Sequence, residues 1–524
     1  MEKKWKSHNY ILCAILILAA AVRIIGLDKL PAGVLPDEAY AAYNAWGMMT
    51  EGVDSRGYHW PVYFVAWGSG MSVLYSYLVI PLFRLFGYNI LVYRLPQSLL
   101  GILSVYVFYQ LVEKLWGINI GLLAAFVLAI NPWHIMITRF GLDANMAPGM
   151  FLLGVFFLVY GLCVSRRYLI PSALFMGLTL YSYVLTWLMV PIFLLLCLIC
   201  FRGRIFVKKT NFKEYIFLIG FVIILFLMAL PLIIFVAVNL GWIDEVRTSF
   251  ISIPKLHGFR GAELSIFNIP KSIVDLAEFL FNQYNDTPYD SSRIVGAYYL
   301  FTFPFMVIGL FGQILSVCRM AWRKKQGREN AAGDGLKCIM LLWMLSAFVV
   351  CIINEKINVT HINMLHFPLV FYGAYGVWIT VKLLRMKSVL VLCLSAWIIS
   401  FGIFLQDYIT TPSGYFLDER VDEALRRAQE LSEEIVIFDY TSIKYSYLLW
   451  KDTPSTLDFA KNAIYDEYSA WEELITYGRY HYMNRLEDVT KDKTYILRFN
   501  YVEMFKEMGF CVDQVNDLFF IAYP

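Results

Sequence analysis

The segment Tyr215 to Val238, YIFLIGFVIILFLMALPLIIFVAV, decides the fold, because all 24 of its residues lack a charge. A helix needs about 20 such residues to cross the hydrocarbon core of a bilayer. Similar blocks recur along the chain at Tyr10 to Ala21, Ile120 to Ile130 and Val389 to Phe404. Of the 524 residues, 59% are hydrophobic and 16% charged, whereas soluble domains are about 25% charged. The sequence predicts an integral membrane protein and excludes a conventional cytosolic enzyme.

Hydropathy and loop charge together predict a polytopic α-helical protein with about 11 spans. The predicted spans lie near residues 9–27, 91–112, 118–138, 145–164, 168–186, 187–201, 215–240, 296–318, 337–354, 363–381 and 388–406. Cytoplasmic loops carry an excess of Lys and Arg. With this span count, the basic loops fall on the side of the basic N-terminus. The N-terminus is therefore predicted inside and the C-terminus outside.

The same charge rule assigns two stretches that hydropathy leaves ambiguous. Val73 to Phe86 is apolar but short and contains Pro81 and Arg84. If it crossed the membrane, the next basic loops would face outward, so we expect an interfacial helix within an outer loop. The apolar stretch from Tyr168 to Phe201 must instead be a hairpin of two spans, turning near residues 185–187.

The chain changes character after about residue 406. The tail has 22 acidic and 12 basic residues and carries a net charge of −10, whereas the rest carries +13. We therefore predict a transmembrane domain at 1–406, with outer loops at 28–90 and 241–295, and a small extracytoplasmic α/β domain at 407–524. Residue patterns in the tail predict a helix at Asp418 to Ser432 and strands at Glu434 to Tyr440, Thr494 to Phe499 and Leu518 to Tyr523.

The first outer loop contains two adjacent carboxylates, Asp37 and Glu38, directly after the first span. Ionisable groups beside hydrocarbon are costly and tend to mark functional sites. The alternative is that Asp37 only caps a helix at Glu38 to Met49, since Asp is a favoured N-cap residue. The loop is also rich in aromatic side chains, which form either a lipid-headgroup belt or a sugar-stacking surface. They include Tyr40, Trp46, Trp60, Trp67 and, beside them, His59.

Two further groups of polar residues are predicted on the same side of the membrane. Arg139, Asp143 and Asn145 lie between the third and fourth spans. A further group lies where the tenth span begins and consists of Asn354, Glu355, Lys356, His361, Asn363 and His366. Ordinary polar loop ends are the simpler explanation for each group alone, but three convergent loops favour a site.

These residues resemble those of the GT-C glycosyltransferases, particularly family 39, which includes protein O-mannosyltransferases and lipid A aminoarabinose transferases. The resemblance rests on the run P-D-E-A-Y-x-A-Y-N-A-W at 36–46 and on further matches in the membrane domain. Those matches are Arg94-Leu95-Pro96, Asn131-Pro132-Trp133-His134, Arg139 and Asp143. One departure is that a Lys-Pro-Pro-Leu or His-Pro-Pro-Leu element of many relatives is replaced by W-G-S-G-M-S-V-L at 67–74. The lysine that contacts the lipid phosphate in some relatives is therefore missing.

The resemblance implies transfer of a sugar, with inversion, from a polyprenyl-phosphate carrier to an acceptor hydroxyl outside the cytoplasm. Asp37 would act as the base, and Arg139 would offer a permanently charged fork to the phosphate. Asp143 would orient Arg139, bind the acceptor or hold a metal, and Glu38 would contact the acceptor or brace Asp37. Candidate substrate-binding residues are Tyr40, His59, Trp60, Asn145, His361 and His366.

A divalent cation is an open alternative, since Asp37, Glu38 and Asp143 are hard oxygen ligands suited to Mg²⁺ or Mn²⁺. The expected partners are the lipid-linked sugar, membrane lipid and a lipid, protein or glycan acceptor, with no nucleic acid. The expected location is a bacterial plasma membrane, with the site facing outside. A transporter or flippase of lipid-linked sugars is the main rival, but such proteins commonly contain internal repeats, and none stands out here. A surface-glycan polymerase or ligase would differ mainly in its acceptor.

Overall fold

The computed structural model describes residues 2–206, 212–259, 264–283, 291–326, 334–355, 357–411, 417–439, 443–466 and 472–524. The chain forms two compact units, each assembled from three separate segments. Unit 1 consists of Met1–Leu27, Arg94–Ile233 and Arg260–Pro412. Unit 2 consists of Asp28–Tyr93, Ile234–Phe259 and Ser413–Pro524.

Most of the described residues are helical. In chain order the helices are α1 (Glu2–Ile24), α2 (Pro36–Thr50), α3 (Leu74–Phe86), α4 (Ile90–Trp116), α5 (Ile118–Ala129), α6 (Pro132–Ile137), α7 (Asp143–Cys163), α8 (Leu169–Leu180), α9 (Thr186–Ile205), α10 (Phe212–Asn239), α11 (Ile269–Asn282), α12 (Phe303–Lys325), α13 (Ile339–Ile353), α14 (His366–Leu384), α15 (Lys387–Thr410), α16 (Glu419–Leu431), α17 (Tyr445–Asp452), α18 (Thr456–Asn462) and α19 (Val502–Glu507).

The strands are short and lie in unit 2. They are β1 (Tyr63–Phe64), β2 (Met71–Ser72), β3 (Val246–Arg247), β4 (Ser252–Ile253), β5 (Ile435–Phe438), β6 (Ile464–Tyr465), β7 (Leu474–Tyr477), β8 (Tyr480–Met483), β9 (Thr494–Arg498), β10 (Cys511–Gln514) and β11 (Phe519–Tyr523).

Nine segments within the described residues are long and apolar enough to cross a membrane. They are Ser7–Ile24, Ile90–Trp116, Asp143–Cys163, Thr186–Ile205, Tyr215–Asn239, Leu300–Arg323, Gly335–Ile353, Asn363–Leu384 and Lys387–Thr410. The predicted polytopic helical class with a small α/β tail is confirmed. The count of 11 spans, the orientation and the domain boundary at 406 remain predictions.

The two predicted spans without a long helix are built from shorter pieces. The stretch predicted as a span at 118–138 contains α5 and the short α6. The Asn131 side chain caps α6 by accepting the His134 backbone N–H at 3.0 Å, and Pro132 occupies the first helical position. These two residues favour a new helix start, so the long apolar run is divided.

The stretch predicted as a hairpin of two spans at 168–201 contains α8 and α9, and of these α9 is a candidate span whereas α8 has 12 residues. Helix α8 ends at Leu180 and α9 begins at Thr186, so the helical break starts a few residues before the predicted turn. The stretch predicted as an interfacial helix is helical as α3, with Val79 and Phe83 on its buried face. Its position at an interface stays a prediction.

Close helix packing in unit 1 depends on small residues. Gly309 of α12 and Gly376 of α14 face the partner backbone so closely that neither position has room for a Cβ atom. Small residues commonly allow such an approach between membrane helices, where close packing and hydrogen bonds drive association. This pair therefore sets the distance between α12 and α14.

The tail forms a seven-stranded sheet with the order β10-β11-β9-β5-β8-β7-β6. Strand β5 pairs in parallel with β8 and β9, and the other pairs are antiparallel. One face is covered by apolar side chains from the sheet and α19, including Val436, Phe438, Leu497, Phe505 and Phe520. The predicted tail helix corresponds to α16, and the three predicted strands correspond to β5, β9 and β11; Tyr440, from the first of these, lies outside the described residues.

The three segments of unit 2 meet at Glu472 of the tail. Arg56 from the first segment approaches its Oε2 at 2.7 Å, and His257 from the second lies 3.8 Å from its Oε1. The Arg56 guanidinium also lies 3.7 Å from the ring centre of Tyr465. A second junction joins α2 to α18, where the Glu51 carboxylate accepts the Leu457 backbone N–H at 2.9 Å. The first outer loop and the tail are therefore parts of one packed unit.

Candidate functional site

Asp37 lies in the first turn of α2 and is held by an aromatic side chain. Its Oδ1 atom accepts a hydrogen bond from the indole Nε1–H of Trp67 at 2.8 Å, and its side chain is partly exposed. The N-cap residue of α2 is Leu35, and Pro36 follows at the helix start. Asp37 is thus inside the helix, so the interpretation of this residue as the N-cap is wrong.

The turn that presents Trp67 has an unusual backbone. Trp67 has a φ of 52°, and Gly68 and Gly70 also have positive φ values. The Gly70 N–H closes the turn by donating to the carbonyl oxygen of Ala66 at 2.6 Å. A bulky residue in this left-handed region is uncommon and persists only where its surroundings fix it. The W-G-S-G stretch that departs from the family element thus forms the turn from which the indole reaches Asp37.

Glu38 is the neighbour of Asp37 but occupies a different environment. Its side chain is fully buried, and its Oε2 accepts the Leu35 backbone N–H at 3.2 Å. A helix N-terminus has unsatisfied N–H groups and a partial positive charge, so a carboxylate there stabilises the first turn. Glu38 therefore closes the start of α2, and Asp37 is the more accessible carboxylate of the pair.

Tyr40 is a packing residue of unit 2. Its hydroxyl donates to the Val65 carbonyl at 2.5 Å and accepts from Ser55 Oγ at 2.9 Å. Its ring meets Tyr445 of the tail edge-on, with 6.3 Å between the ring centroids. These contacts fix the first loop against the tail, and the substrate-binding role of Tyr40 stays a prediction.

His59 and Trp60 lie together in an exposed turn. The His59 Nδ1 is 3.1 Å from the Gly52 carbonyl oxygen, and Trp60 packs against Tyr77 with centroids 5.6 Å apart. Trp60 is 40% exposed. Both side chains are accessible to a ligand, and their predicted role in substrate binding stays a prediction.

The tail also contributes side chains around Trp67. The Tyr445 ring lies 5.2 Å from the Trp67 ring, and the Lys444 Nζ lies 5.6 Å from the Trp67 ring centre. Lys444 forms an ion pair with Glu473 at 2.9 Å. No local motif marks Lys444 in the sequence, where it is one of many charged residues in the acidic tail.

Arg139 belongs to unit 1, where it binds the C-terminal end of α1. Its Nη1 donates to the Val22 carbonyl at 2.7 Å, and its Nη2 donates to Ile25 and Gly26 at 2.9 and 3.0 Å. The guanidinium carbon also lies 5.8 Å from the ring centre of Tyr408. Helix C-termini carry unsatisfied carbonyls and a partial negative charge, which a cation stabilises. Arg139 therefore has a structural role that the sequence did not reveal.

Two more buried arginines surround the same end of α1. Arg23 donates to the Ala19 and Ala129 carbonyls at 3.0 and 3.1 Å, and Arg94 donates to Leu27 at 3.3 Å. Arg23 Nη2 lies 2.7 Å from His134 Nδ1. Since arginine can only donate, this nitrogen of His134 accepts, and the imidazole is neutral. Three guanidinium groups thus gather at one helix end, a feature that hydropathy alone would not suggest.

The second and third predicted polar groups meet in unit 1. Asn363 Nδ2 donates to Asn145 Oδ1 at 3.3 Å and to the Ala144 carbonyl at 3.1 Å, and Asn363 Oδ1 accepts the Trp133 indole N–H at 2.9 Å. Asp143 begins α7, is partly exposed, and accepts the Ala144 N–H at 2.7 Å. Asn145 therefore belongs to a buried amide network, whereas Asp143 remains accessible.

The two predicted histidines differ in their surroundings. His366 is fully buried between Tyr298, whose hydroxyl bonds Nδ1, and the Val359 carbonyl, 3.1 Å from Nε2. Because a carbonyl only accepts, Nε2 carries a proton. The partly exposed His361 is anchored through its backbone N–H, which donates to Asn358 Oδ1 at 2.7 Å. Within the described ranges, no group of three or more His, Cys, Asp or Glu residues is arranged to hold a metal ion.

Comparisons with known proteins identify the fold. Residues 70–235 match the sequence model of a family described as dolichyl-phosphate-mannose-protein mannosyltransferase. The chain is also similar to the crystal structure of ArnT from Cupriavidus metallidurans in the apo state, with 12% identity and a TM-score of 0.57. That alignment covers 98% of this chain and 97% of ArnT. ArnT bound to undecaprenyl phosphate gives 13% identity and a TM-score of 0.55, over 98% of this chain and 97% of that chain.

A third similar structure is the archaeal oligosaccharyltransferase AglB from Archaeoglobus fulgidus, in complex with an inhibitory peptide and a dolichol-phosphate. It shares 12% identity with a TM-score of 0.53, over 87% of this chain and 64% of AglB. No protein of curated function matches by sequence search. The resemblance to the GT-C superfamily is thus confirmed at the level of the fold.

Proposed function

We propose that this protein is an inverting glycosyltransferase that moves a sugar from a polyprenyl-phosphate donor to an acceptor hydroxyl on the outer face of a membrane. The observation that carries this proposal is the partly exposed Asp37 carboxylate, oriented by the Trp67 indole in a GT-C fold. The similarity to ArnT, which binds undecaprenyl phosphate, supports the donor class. The acidic tail and basic N-terminus support the proposed orientation, and the expected location is the bacterial plasma membrane.

Asp37 serves as the general base in this proposal. It accepts the proton of the acceptor hydroxyl while that oxygen attacks the anomeric carbon from the side opposite the phosphate. The bond between the anomeric carbon and the phosphate oxygen breaks, and its electron pair leaves with the polyprenyl phosphate. The Trp67 N–H holds the carboxylate in place during this step. Asp37 then releases the proton to water, so the enzyme returns to its starting state.

The leaving phosphate needs positive charge more than it needs a proton, because it departs as a stable anion. Arg139 is the first candidate in unit 1. Three described hydrogen bonds to carbonyls fix its guanidinium at the end of α1, and its charge is permanent. Fixed charge placed before the reaction begins stabilises the charge that develops during it. Asp143, which is partly exposed at the start of α7, is proposed to bind the acceptor.

The proposal is tested by replacing Asp37 with Asn in protein reconstituted into liposomes with a polyprenyl-phosphate sugar. A general base typically contributes a factor of about 10² to 10⁴, so Asp37→Asn should reduce transfer by at least about 100-fold. Product stereochemistry, measured by NMR, should show inversion at the anomeric carbon. Near-wild-type transfer by Asp37→Asn would remove Asp37 as the base.

Glu38→Gln is the matched control, because it changes the adjacent carboxylate and keeps an oxygen for the Leu35 N–H. A carboxylate at a helix N-terminus contributes under about 1 kcal/mol, so removing the Glu38 charge should disturb α2 only slightly. We therefore expect the transfer rate of Glu38→Gln to stay within about threefold of the wild type. Movement of the lipid-linked sugar across the bilayer is measured in the same liposomes. Translocation without transfer by the wild-type protein would favour the flippase alternative.

A further inference from the structure

We propose that Lys444, in the tail, binds the donor phosphate beside Asp37 and therefore makes the tail part of the catalytic site. This inference rests on the proposed function. A sugar phosphodiester carries one negative charge, and the departing phosphate monoester approaches two at neutral pH. A cation close to the phosphate is therefore needed most as the bond breaks. Lys444 is a described cation of unit 2 that lies against the residue orienting Asp37.

The position of Lys444 is fixed by its neighbour. Tyr445 packs against both Trp67 and Tyr40, so the backbone at the start of α17 is anchored to the first loop. From there the Lys444 side chain reaches the Trp67 ring, with Nζ 5.6 Å from its centre, within range of a cation–π contact. Trp67 thus contacts the Asp37 carboxylate through its N–H and the ammonium through its ring.

In a displacement with inversion, the base and the leaving group lie on opposite sides of the anomeric carbon. The base and the phosphate-binding cation are therefore separate side chains, and Trp67 contacts both, the Asp37 carboxylate through its N–H and the Lys444 ammonium through its ring. Lys444 is also 25% exposed, which leaves its ammonium accessible to a ligand.

The first outer loop supplies no lysine after Lys29, at its beginning. Residues 30–113 contain none, and the guanidinium of Arg56 is engaged by Glu472 and Tyr465. Lys444, in contrast, has a flexible four-carbon side chain that can turn from one anion to another. Its present partner is Glu473, which keeps the ammonium oriented before a donor arrives.

The competing explanation is that the Lys444 and Glu473 pair only stabilises the tail. The two explanations predict opposite signs for Glu473→Gln. If the pair is purely structural, removing either Lys444 or Glu473 weakens the fold, and both variants bind the phosphate more weakly. If Lys444 binds phosphate, removing the Glu473 charge releases the ammonium and strengthens phosphate binding.

The experiment measures binding of radiolabelled undecaprenyl phosphate and of the uncharged alcohol undecaprenol to the full-length purified chain. Lys444→Met should raise the Kd for the phosphate by about tenfold, as expected when one charged contact is lost, and leave the Kd for the alcohol unchanged. Lys444→Arg should stay within about threefold of the wild type, and Glu473→Gln should lower the Kd for the phosphate. The matched control is Lys451→Met in α17, the helix that begins directly after Lys444, because Lys451 pairs with Asp422 at 2.6 Å and should leave both Kd values unchanged.

Unchanged phosphate binding by Lys444→Met would overturn the inference, as would equal loss of phosphate and alcohol binding, or weaker phosphate binding by Glu473→Gln. The proposed function has a separate failure mode, namely no sugar transfer from a polyprenyl-phosphate donor by the wild-type protein. If Asp37→Asn abolishes transfer while Lys444→Met binds the phosphate normally, the proposed function stands and only the role of Lys444 fails.

Discussion

The end of α1 and the start of α2 place charge at helix termini in two different ways. At the end of α1, Arg139 is buried and its guanidinium donates to backbone carbonyls. At the start of α2, Glu38 is also buried and accepts the backbone N–H of Leu35. Its neighbour Asp37 is partly exposed and accepts the side-chain N–H of Trp67. A buried charge that complements a helix end stabilises that end, whether or not it also takes part in the reaction. Asp37 differs from both because it is partly exposed and a side-chain N–H, that of Trp67, donates to its carboxylate.

The strongest test of this contrast is Arg139→Met. It removes the hydrogen bonds to the carbonyls of Val22, Ile25 and Gly26, and charge-assisted bonds are worth about 1.5–3 kcal/mol each, so a loss of about 3 kcal/mol or more is expected. We also expect transfer to fall at least about 100-fold, the usual effect of removing a transition-state donor. Thermal unfolding in detergent and transfer assays below the unfolding temperature measure the two effects separately.

Arg23→Met is the matched control for Arg139, because Arg23 also donates to carbonyls near the end of α1. It should lower stability without changing the transfer rate of the folded fraction. If Arg139→Met transferred sugar at the wild-type rate while folded, Arg139 would be purely structural, and the contrast with Asp37 would be complete.

A smaller effect is expected from Trp67→Phe. This variant keeps an aromatic ring at position 67 but removes the indole N–H that donates to Asp37. Loss of one hydrogen bond to a charged group, about 1.5 kcal/mol, corresponds to a roughly tenfold slower transfer. The measurement is kcat with saturating donor and acceptor. Trp242→Phe, at an exposed position of the same unit, should have no effect. Equal rates for both variants would mean that the indole does not orient Asp37.

The smallest effect on transfer is expected from Asp54→Asn, which compares Asp37 with a fully buried carboxylate of the same loop. Burial raises the pKa of Asp54 to about 6, although backbone N–H groups of Tyr58 and Arg56 donate to the carboxylate and act in the opposite direction. In the unfolded chain an Asp loses its proton near pH 4, about two units lower. The folded state thus retains this proton to a higher pH.

The sign of the stability change follows from that difference. The contribution of protonated Asp54 to stability is fully present below about pH 4 and is lost as the pH rises through 6. Between pH 5 and pH 7 the free energy of unfolding should fall by about 1 kcal/mol in the wild type. The Asp54→Asn protein retains an oxygen acceptor and should lack this fall, with unchanged transfer. An identical pH profile for both proteins, measured by denaturant or thermal unfolding, would contradict the assignment.

The local parts of the fold could be predicted from sequence because short-range patterns specify them. The predicted helix at Asp418 to Ser432 matches α16 to within a residue, since its apolar residues recur on one helical face. The predicted strand at Thr494 to Phe499 is one residue longer than β9. The stretch at 118–138 was predicted as one span because it is mostly apolar. Hydropathy did not indicate that a new helix starts at Asn131 and Pro132.

The site was only partly predictable because its contacts join distant parts of the sequence. The position of Asp37 was evident from its place beside a span, but its partner Trp67 lies 30 residues away. His366 was evident as a polar residue at the start of a span, but its contacts with Tyr298 and Val359 were not. Lys444 is separated from Trp67 by almost the whole membrane domain. Such contacts depend on tertiary packing, which periodicity and composition do not encode.

The assembly of unit 2 from three separate segments has a consequence for biosynthesis. Trp67 is synthesised early, but Tyr445 and Lys444, which pack against it, are synthesised almost 380 residues later. The ion pair of Arg56 with Glu472 and the capping of α18 by Glu51 can form only after the tail has been synthesised. A chain interrupted before residue 443 therefore carries the candidate base without these neighbours. We expect the order of synthesis to keep the protein inactive until the tail has folded.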